Sequence, residues 1–193
     1  MSDTVFGCVK NTIRLRSGAY FDFLDPQPDQ FTLEDIAGAL AKICRFGAQC
    51  DFFYSVAEHS VRCASQASED GQPTDVQLAV LLHDAAEAFC GDVVKPLKIM
   101  LPEYSAVESR VEAVIAEKFG VDFERHRAVI REIDHAMLIA ERHAVFSRDD
   151  VEWTGEREVR KLLLNRGVVG WQPTLAEMEF KISYRDLLTP EQP

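Results

Sequence analysis

The sequence predicts an all-α fold with one small β-hairpin at its N-terminal end. Three observations carry that reading. Apolar residues recur at helical spacing in nearly every segment from Thr32 onward. Helix start and stop residues fall at the edges of those segments, as at Thr32 and Gly120. Strict alternation of apolar and polar residues is confined to the strings flanking Ser17-Gly18.

The elements follow in order. Thr12-Ile13-Arg14-Leu15-Arg16 and Tyr20-Phe21-Asp22-Phe23 alternate about the Ser17-Gly18 turn and form the hairpin. Asp25-Pro26-Gln27-Pro28-Asp29 is a loop. Thr32 caps the first helix, with Glu34 and Asp35 in its first turn and Ile36, Ala39, Leu40 and Ile43 as its apolar stripe. Further helices are expected over 56–69, 75–90, 103–119, 126–147 and 174–188. Gly120 ends one of them, and Thr174 with Glu177 reads as a capping box for the last. The tail Glu191-Gln192-Pro193 reads as frayed. One domain accommodates all of this: a hairpin and loop over about 10–30, a helical core over about 32–150 and a helical extension over about 151–190.

Composition narrows the class. Of the 193 residues 47% are hydrophobic and 27% charged, values of an ordinary globular chain. The 32 acidic against 21 basic residues give a net charge of −11, which argues against binding duplex nucleic acid or an anionic membrane. The nearly unbroken apolar run 76–82 is far shorter than the ~20 residues that span a bilayer. Met1-Ser2-Asp3-Thr4 opens no signal peptide. Five cysteines, an odd number without a CxxC pair, read as reduced thiols of a cytoplasmic protein, most of them small core residues.

The chemistry concentrates in the segment 76–89. On a helical wheel Leu78, Leu82, Ala85 and Phe89 form one apolar stripe, with Val76 and Val80 on the side of His83 and Glu87. A helix apolar all round is buried. His83, Asp84 and Glu87 are therefore expected as buried ionisable neighbours, and buried charge must be paired, hydrogen-bonded or metal-bound. Imidazole and carboxylate from one turn suit Zn, Mn, Co, Ni or Fe. Asp134 falls within the stripe of Ile130, Ile133, Met137, Leu138 and Val145 and is the third candidate ligand. Glu141 shares that stripe, so the signal is not unique. His59, near Val56 and Cys63, is the fourth. A lone buried histidine more often bonds a backbone carbonyl, and an acid such as Asp134 can bridge two helices instead; the weight lies on the combination. His135 and His143 point off the stripe, and His126 receives no role.

His59, then His83-Asp84, then Asp134 stand in the order and spacing of the HD-domain metal-dependent phosphohydrolases, which this chain resembles over about residues 10–150. The string His83-Asp84-Ala85-Ala86-Glu87-Ala88-Phe89-Cys90-Gly91-Asp92-Val93-Val94-Lys95-Pro96-Leu97-Lys98 is similar to the branch holding bacterial 5′-deoxynucleotidases, prophage YfdR-like proteins and phage dATP triphosphohydrolases. So are Cys44-Arg45-Phe46 and Phe53-Tyr54-Ser55-Val56-Ala57-Glu58-His59-Ser60.

The resemblance implies a helical HD bundle holding one divalent metal ion (Mn, Co, Zn, Ni, Fe or Mg) through His59, His83, Asp84 and Asp134. Glu87 and Asp92 then correspond to the acids that handle water, and Arg45 and Phe46 to a substrate-binding Arg-aromatic pair. Lys95 and Lys98 are further phosphate candidates. Where relatives carry a His after the pair, this chain has Gly47-Ala48-Gln49, a departure that bears on substrate preference and not on the metal. The implied reaction is hydrolysis of a deoxynucleoside monophosphate to nucleoside and phosphate. The alternative is release of triphosphate from a deoxynucleoside triphosphate. Alarmone hydrolysis and a catalytically silent nucleotide sensor are weaker readings, and a purely structural helical protein is the third class. A homo-oligomer is expected by the same resemblance.

Overall fold

The structure is a computed structural model that describes residues 4–5, 8–9, 11–147 and 168–189. The tail Glu191-Gln192-Pro193 and residues 151–167 of the expected C-terminal extension lie outside the described residues. The predicted all-α architecture with a small N-terminal hairpin is what is found. Two short antiparallel pairs come first. Strands β1 (Thr4–Val5) and β2 (Cys8–Val9) pair with each other, a feature the sequence did not announce. Strands β3 (Thr12–Arg14) and β4 (Tyr20–Asp22) form the predicted hairpin, with Ile13 opposite Phe21. Its turn closes by bonds from Leu15 N to Ala19 O and from Gly18 N to Leu15 O, with Gly18 at φ 96°.

Helix α1 (Leu33–Leu40) starts at the Thr32 cap, where Thr32 and Asp35 bond each other's backbone amides. The buried Asp35 carboxylate also accepts Ser17 N at 2.8 Å, which ties the hairpin turn to this helix. Burial would raise the Asp35 pKa, but the bonds from Ser17 and Thr32 hold it below its usual range.

Helices α2 (Val56–Glu69), α3 (Thr74–Leu82), α4 (Glu87–Cys90), α5 (Lys95–Lys98), α6 (Pro102–Phe119), α7 (Phe123–Val145) and α8 (Pro173–Leu188) follow. The single helix expected over 75–90 is divided. Between Leu82 and Glu87 the backbone tightens to i→i−3 bonds, Ala85 N to Leu82 O and Glu87 N to Asp84 O. One cause is visible in the side chains: His83 Nδ1 donates to Val80 O at 2.7 Å and competes for a carbonyl of the helix. The capping box expected at Thr174 is also absent. Pro173 takes the first helical position behind Gln172, and Glu177 pairs instead with Arg16 and Lys181.

Two apolar clusters hold these elements. The larger packs Phe21, Phe31, Ile36, Leu40, Leu82, Phe89, Ile115 and Phe180. Phe21 stacks on Phe89 with ring centres 4.1 Å apart, and Phe31 meets both edge-on. The smaller cluster joins Cys63, Ala67, Val76, Val80, Ile133, Met137 and Ala140, and so fixes α7 against α2 and α3. Helix α8 rests on α1, α2 and α3 through Ala176 and Phe180, both fully buried. Beside it the fully buried Glu58 accepts Trp171 N at 2.6 Å and Arg62 at 2.7 and 2.9 Å, while Arg62 lies 5.1 Å from the Trp171 ring. No helix among the described residues is long and apolar enough to cross a membrane.

Candidate metal centre

The smaller apolar cluster brings three helical segments to one point. His59 comes from α2, His83 and Asp84 from the tightened turn after α3, and Asp134 from the middle of α7. His59, His83 and Asp134 each offer a ligand atom, all within 4.8 Å of one another. His59 Nε2 lies 3.3 Å from His83 Nε2 and 3.3 Å from Asp134 Oδ1. Asp84 Oδ2 stands 3.5 Å from His59 Nε2 and 3.3 Å from His83 Nε2. The longest of these separations, His83 Nε2 to Asp134 Oδ1, is 3.9 Å. Two ligands held ~2.1 Å from a tetrahedral ion stand about 3.4 Å apart, so the spacing of His59, His83 and Asp134 suits a first-row divalent cation.

Hydrogen bonding sharpens the point. Val80 O can only accept, so His83 donates from Nδ1 and turns Nε2 inward. His59 Nδ1 meets Glu141 Oε1 at 2.5 Å, which likewise leaves Nε2 for the centre. His59, His83 and the carboxylates of Asp84 and Asp134 face one another, with Arg45 Nη1 3.3 Å from Asp84 Oδ2. Positive charge is favoured at this point, as the titration behaviour shows. Burial and the nearby Arg45 would lower the His59 pKa, yet Cys63, Glu141 and Asp134 lift it well above its usual value. Burial would raise Asp134, but the hydrogen bond and charge of His59, with His83 and Arg45, hold it far below the carboxylate range. Cys63, although close to His59, stays a neutral thiol because burial pushes it up to about 11.

Glu141 is the residue whose role the sequence left open. It is fully buried and takes Tyr54 OH at 2.7 Å in addition to His59. Arg45 Nε lies 3.3 Å from its second oxygen, a Coulombic contact without hydrogen-bond alignment. Burial alone would raise Glu141; Arg45, His59 and the two hydrogen bonds keep it ionised. Its position behind His59, a candidate ligand, fixes the ring orientation. Glu141→Gln is therefore expected to weaken metal binding about 10–100-fold. Calorimetric titration with Mn or Zn checks this, and unchanged affinity would count against the role.

The centre opens into a cleft of about 1250 Å³. Asp134 sits on its wall with 43% of its side chain exposed, and His83 and Asp84 are part-buried rather than sealed in the core. The predicted burial of these groups is corrected accordingly: Asp84 and Asp134 line a cleft beside the apolar contact of α7 with α2 and α3. Glu87 and Asp92 line the same cleft. Burial, with repulsion from Asp84 and Asp92, pushes Glu87 well above the carboxylate range, and its Oε2 is buried without a hydrogen-bond partner. Asp92 follows Gly91 at φ 78° and returns to the cleft as expected; burial and Asp84 raise it too. Tyr104 OH bonds Gly91 O at 2.8 Å and fixes that return.

The expected substrate contacts are less uniform. Arg45 is buried at the cleft edge, with Nη1 3.3 Å from Asp84 Oδ2, so it is engaged with the acids of the centre. Phe46 lines the cleft and packs edge-on against Phe146, 5.3 Å away, an aromatic neighbour the sequence did not single out. Lys95 lines the cleft and is exposed. Lys98 also lines it but is held by Glu108 Oε2 at 2.5 Å. Arg131, likewise not singled out, is an exposed cation on the opposite wall formed by α7. His135 and His143 are exposed as expected, and His126 is buried against Asp75 at 3.4 Å. Of the cysteines, Cys63 is a core residue, whereas Cys44, Cys50 and Cys90 are free thiols only partly buried.

No family model matches the chain. It is similar to the uncharacterized protein YfdR of Escherichia coli, with 36% identity over 141 residues that cover 73% of this chain and 76% of the relative. It is also similar to an uncharacterized protein of Rhodobacter capsulatus, with 34% identity over 149 residues that cover 72% of this chain and 76% of that one.

Proposed function

We propose that this chain, a member of the family of YfdR, is an HD-type, metal-dependent phosphohydrolase acting on deoxynucleotides, cleaving a 5′-monophosphate to nucleoside and phosphate. The observation that supports this most directly is the convergence of His59 Nε2, His83 Nε2 and the carboxylates of Asp84 and Asp134, the two acids lining the cleft. His59, His83, Asp84 and Asp134 would hold the ion. When bound, a divalent ion there supplies Lewis-acid polarisation of a phosphoryl oxygen and a lowered water pKa. The protein's own groups do the rest. Glu87, unpartnered and made more basic by burial, accepts the proton of the attacking water. Asp92 orients that water from the neighbouring turn. Arg45, kept charged by Glu141 and Asp84 in spite of its burial, presents its remaining donors to the phosphate. Phe46 and Phe146 offer ring faces and edges to the sugar or base.

Arg45→Lys tests the phosphate contact. Charge opposite Glu141 and Asp84 is retained while the planar fork is lost. KM is expected to rise about 10–100-fold, the value of one charge-assisted hydrogen bond, with metal content unchanged. Unaltered KM on the best substrate would remove Arg45 from the binding site.

The size of the cleft, with Lys95 and Arg131 on its walls, favours a second reading. A triphosphate tail could lie along those cations, and attack at its α-phosphorus would release triphosphate. A panel of ribo- and deoxynucleoside mono- and triphosphates with Mn, Co, Zn, Ni and Mg, scored for phosphate against triphosphate, decides between the two. Absence of hydrolysis throughout the panel would overturn both.

A further inference from the structure

Cys44 and Cys50 bracket the turn that carries Arg45 and Phe46 to the cleft. Their sulfurs are 3.6 Å apart, in hydrogen-bond contact, and both residues are only partly buried. The base of the turn is fixed: Arg45 N bonds Tyr54 O, Val56 N bonds Ile43 O, and Cys44 bridges Ser55. Above that base Phe46, Gly47 and Ala48 have φ of 58°, 59° and 59°. Two of these are non-glycine residues in the left-handed region, a conformation that persists only where the surroundings enforce it. The two thiols sit at the ends of this strained segment. Cys50 Sγ also contacts Phe52 O at 3.0 Å and Arg45 O at 3.9 Å, so its position is coupled to the Arg45 backbone.

We propose that Cys44 and Cys50 are a reversible dithiol–disulfide pair that clamps the turn bearing Arg45 and Phe46. Bonded sulfurs lie ~2.05 Å apart, so closure draws the two together by about 1.5 Å. The oxidant is a small-molecule disulfide such as oxidised glutathione. The Cys44 thiolate attacks one of its sulfurs, its S–S bond breaks, and the first glutathione leaves as a thiol after taking a proton. The Cys50 thiolate then attacks Cys44 Sγ and displaces the second glutathione, which takes the other proton. Two protein thiols are oxidised and one glutathione disulfide is reduced. Cys44 is the attacking group, because burial and the Cys44 contact push the Cys50 thiol up to about 11. The proposal does not depend on the phosphohydrolase reading.

The test is oxidation of the purified full chain with glutathione disulfide. The titre of free thiols is expected to fall from five to three, with loss of two hydrogens and a fragment linking Cys44 to Cys50. Dithiothreitol should restore all five. Cys50→Ser should stop at a glutathione adduct. Amide exchange at residues 46–49 should slow at least severalfold on oxidation of the natural chain and not in Cys50→Ser. A titre that stays at five, a link between other cysteines, or exchange unaffected by oxidation would each overturn the proposal.

Discussion

Asp134→Ala is expected to remove bound metal and hydrolysis together. Its carboxylate oxygen lies 3.3 Å from His59 Nε2 and 3.9 Å from His83 Nε2, and no other acid of α7 reaches both in the described structure. Because the side chain is partly exposed on the cleft wall, its loss creates no sealed cavity and the fold should survive. Losing one ligand should weaken metal affinity by at least the ~100-fold seen when only a supporting residue is lost. Asp84→Ala should act in the same direction and also release Arg45 from its carboxylate. Elemental analysis of both variants after gentle purification gives the answer. A full complement of metal in Asp134→Ala would show that the two imidazoles are held for another purpose.

Glu87→Ala should separate chemistry from metal binding. The rate is expected to drop about 10²–10⁴-fold, the usual worth of a positioned general base, while metal remains bound. The pH profile adds a signature. Proton acceptance requires the ionised form, so activity falls as pH drops through the raised Glu87 pKa, above the range of an ordinary carboxylate. Stability runs the other way. A carboxyl whose folded pKa is raised binds its proton more tightly when folded, so it contributes stability at low pH that is lost as pH rises through that raised value. Glu87→Gln should therefore melt higher than the natural chain at neutral pH while being slow, the pattern of a destabilised functional group. A variant that is slow and also melts lower would mark Glu87 as a structural acid. Asp92→Ala is expected to behave as Glu87→Ala, with metal retained.

Helical periodicity made most of the fold legible. Helix α2 occupies the expected 56–69, and α6, α7 and α8 begin or end within a few residues of their expected limits. The division of 75–90 was hidden because Ala85 and Ala86 are good helix formers and the apolar wheel continues through them. The competing bond, His83 Nδ1 to Val80 O, depends on a ring orientation that the sequence does not specify. The four candidate ligands were legible because acids and histidines on apolar faces are rare. Glu141 was visible as an acid on the same stripe, but its partners His59 and Tyr54 lie 82 and 87 residues away along the chain. The Arg45 turn carried no usable signal: Phe46 and Ala48 adopt positive φ where local preference predicts nothing of the kind. Phe146 and Arg131 face the cleft only because α7 packs where it does.

Glu58 gives the last helix a meaning that its distance from the cleft conceals. The Trp171 amide that satisfies this buried carboxylate is 113 residues further along, and Glu58 immediately precedes His59. A chain shortened to end before Trp171 would strip that donor and the indole beside Arg62, and uncover the core that Phe180 fills. Glu58 would keep its pair with Arg62 but lose one buried donor, and the turn strained by that loss is the one bearing His59. The carboxy-terminal segment therefore supports the turn that carries His59. Under the proposed metal site, loss of that segment should lower metal content together with stability.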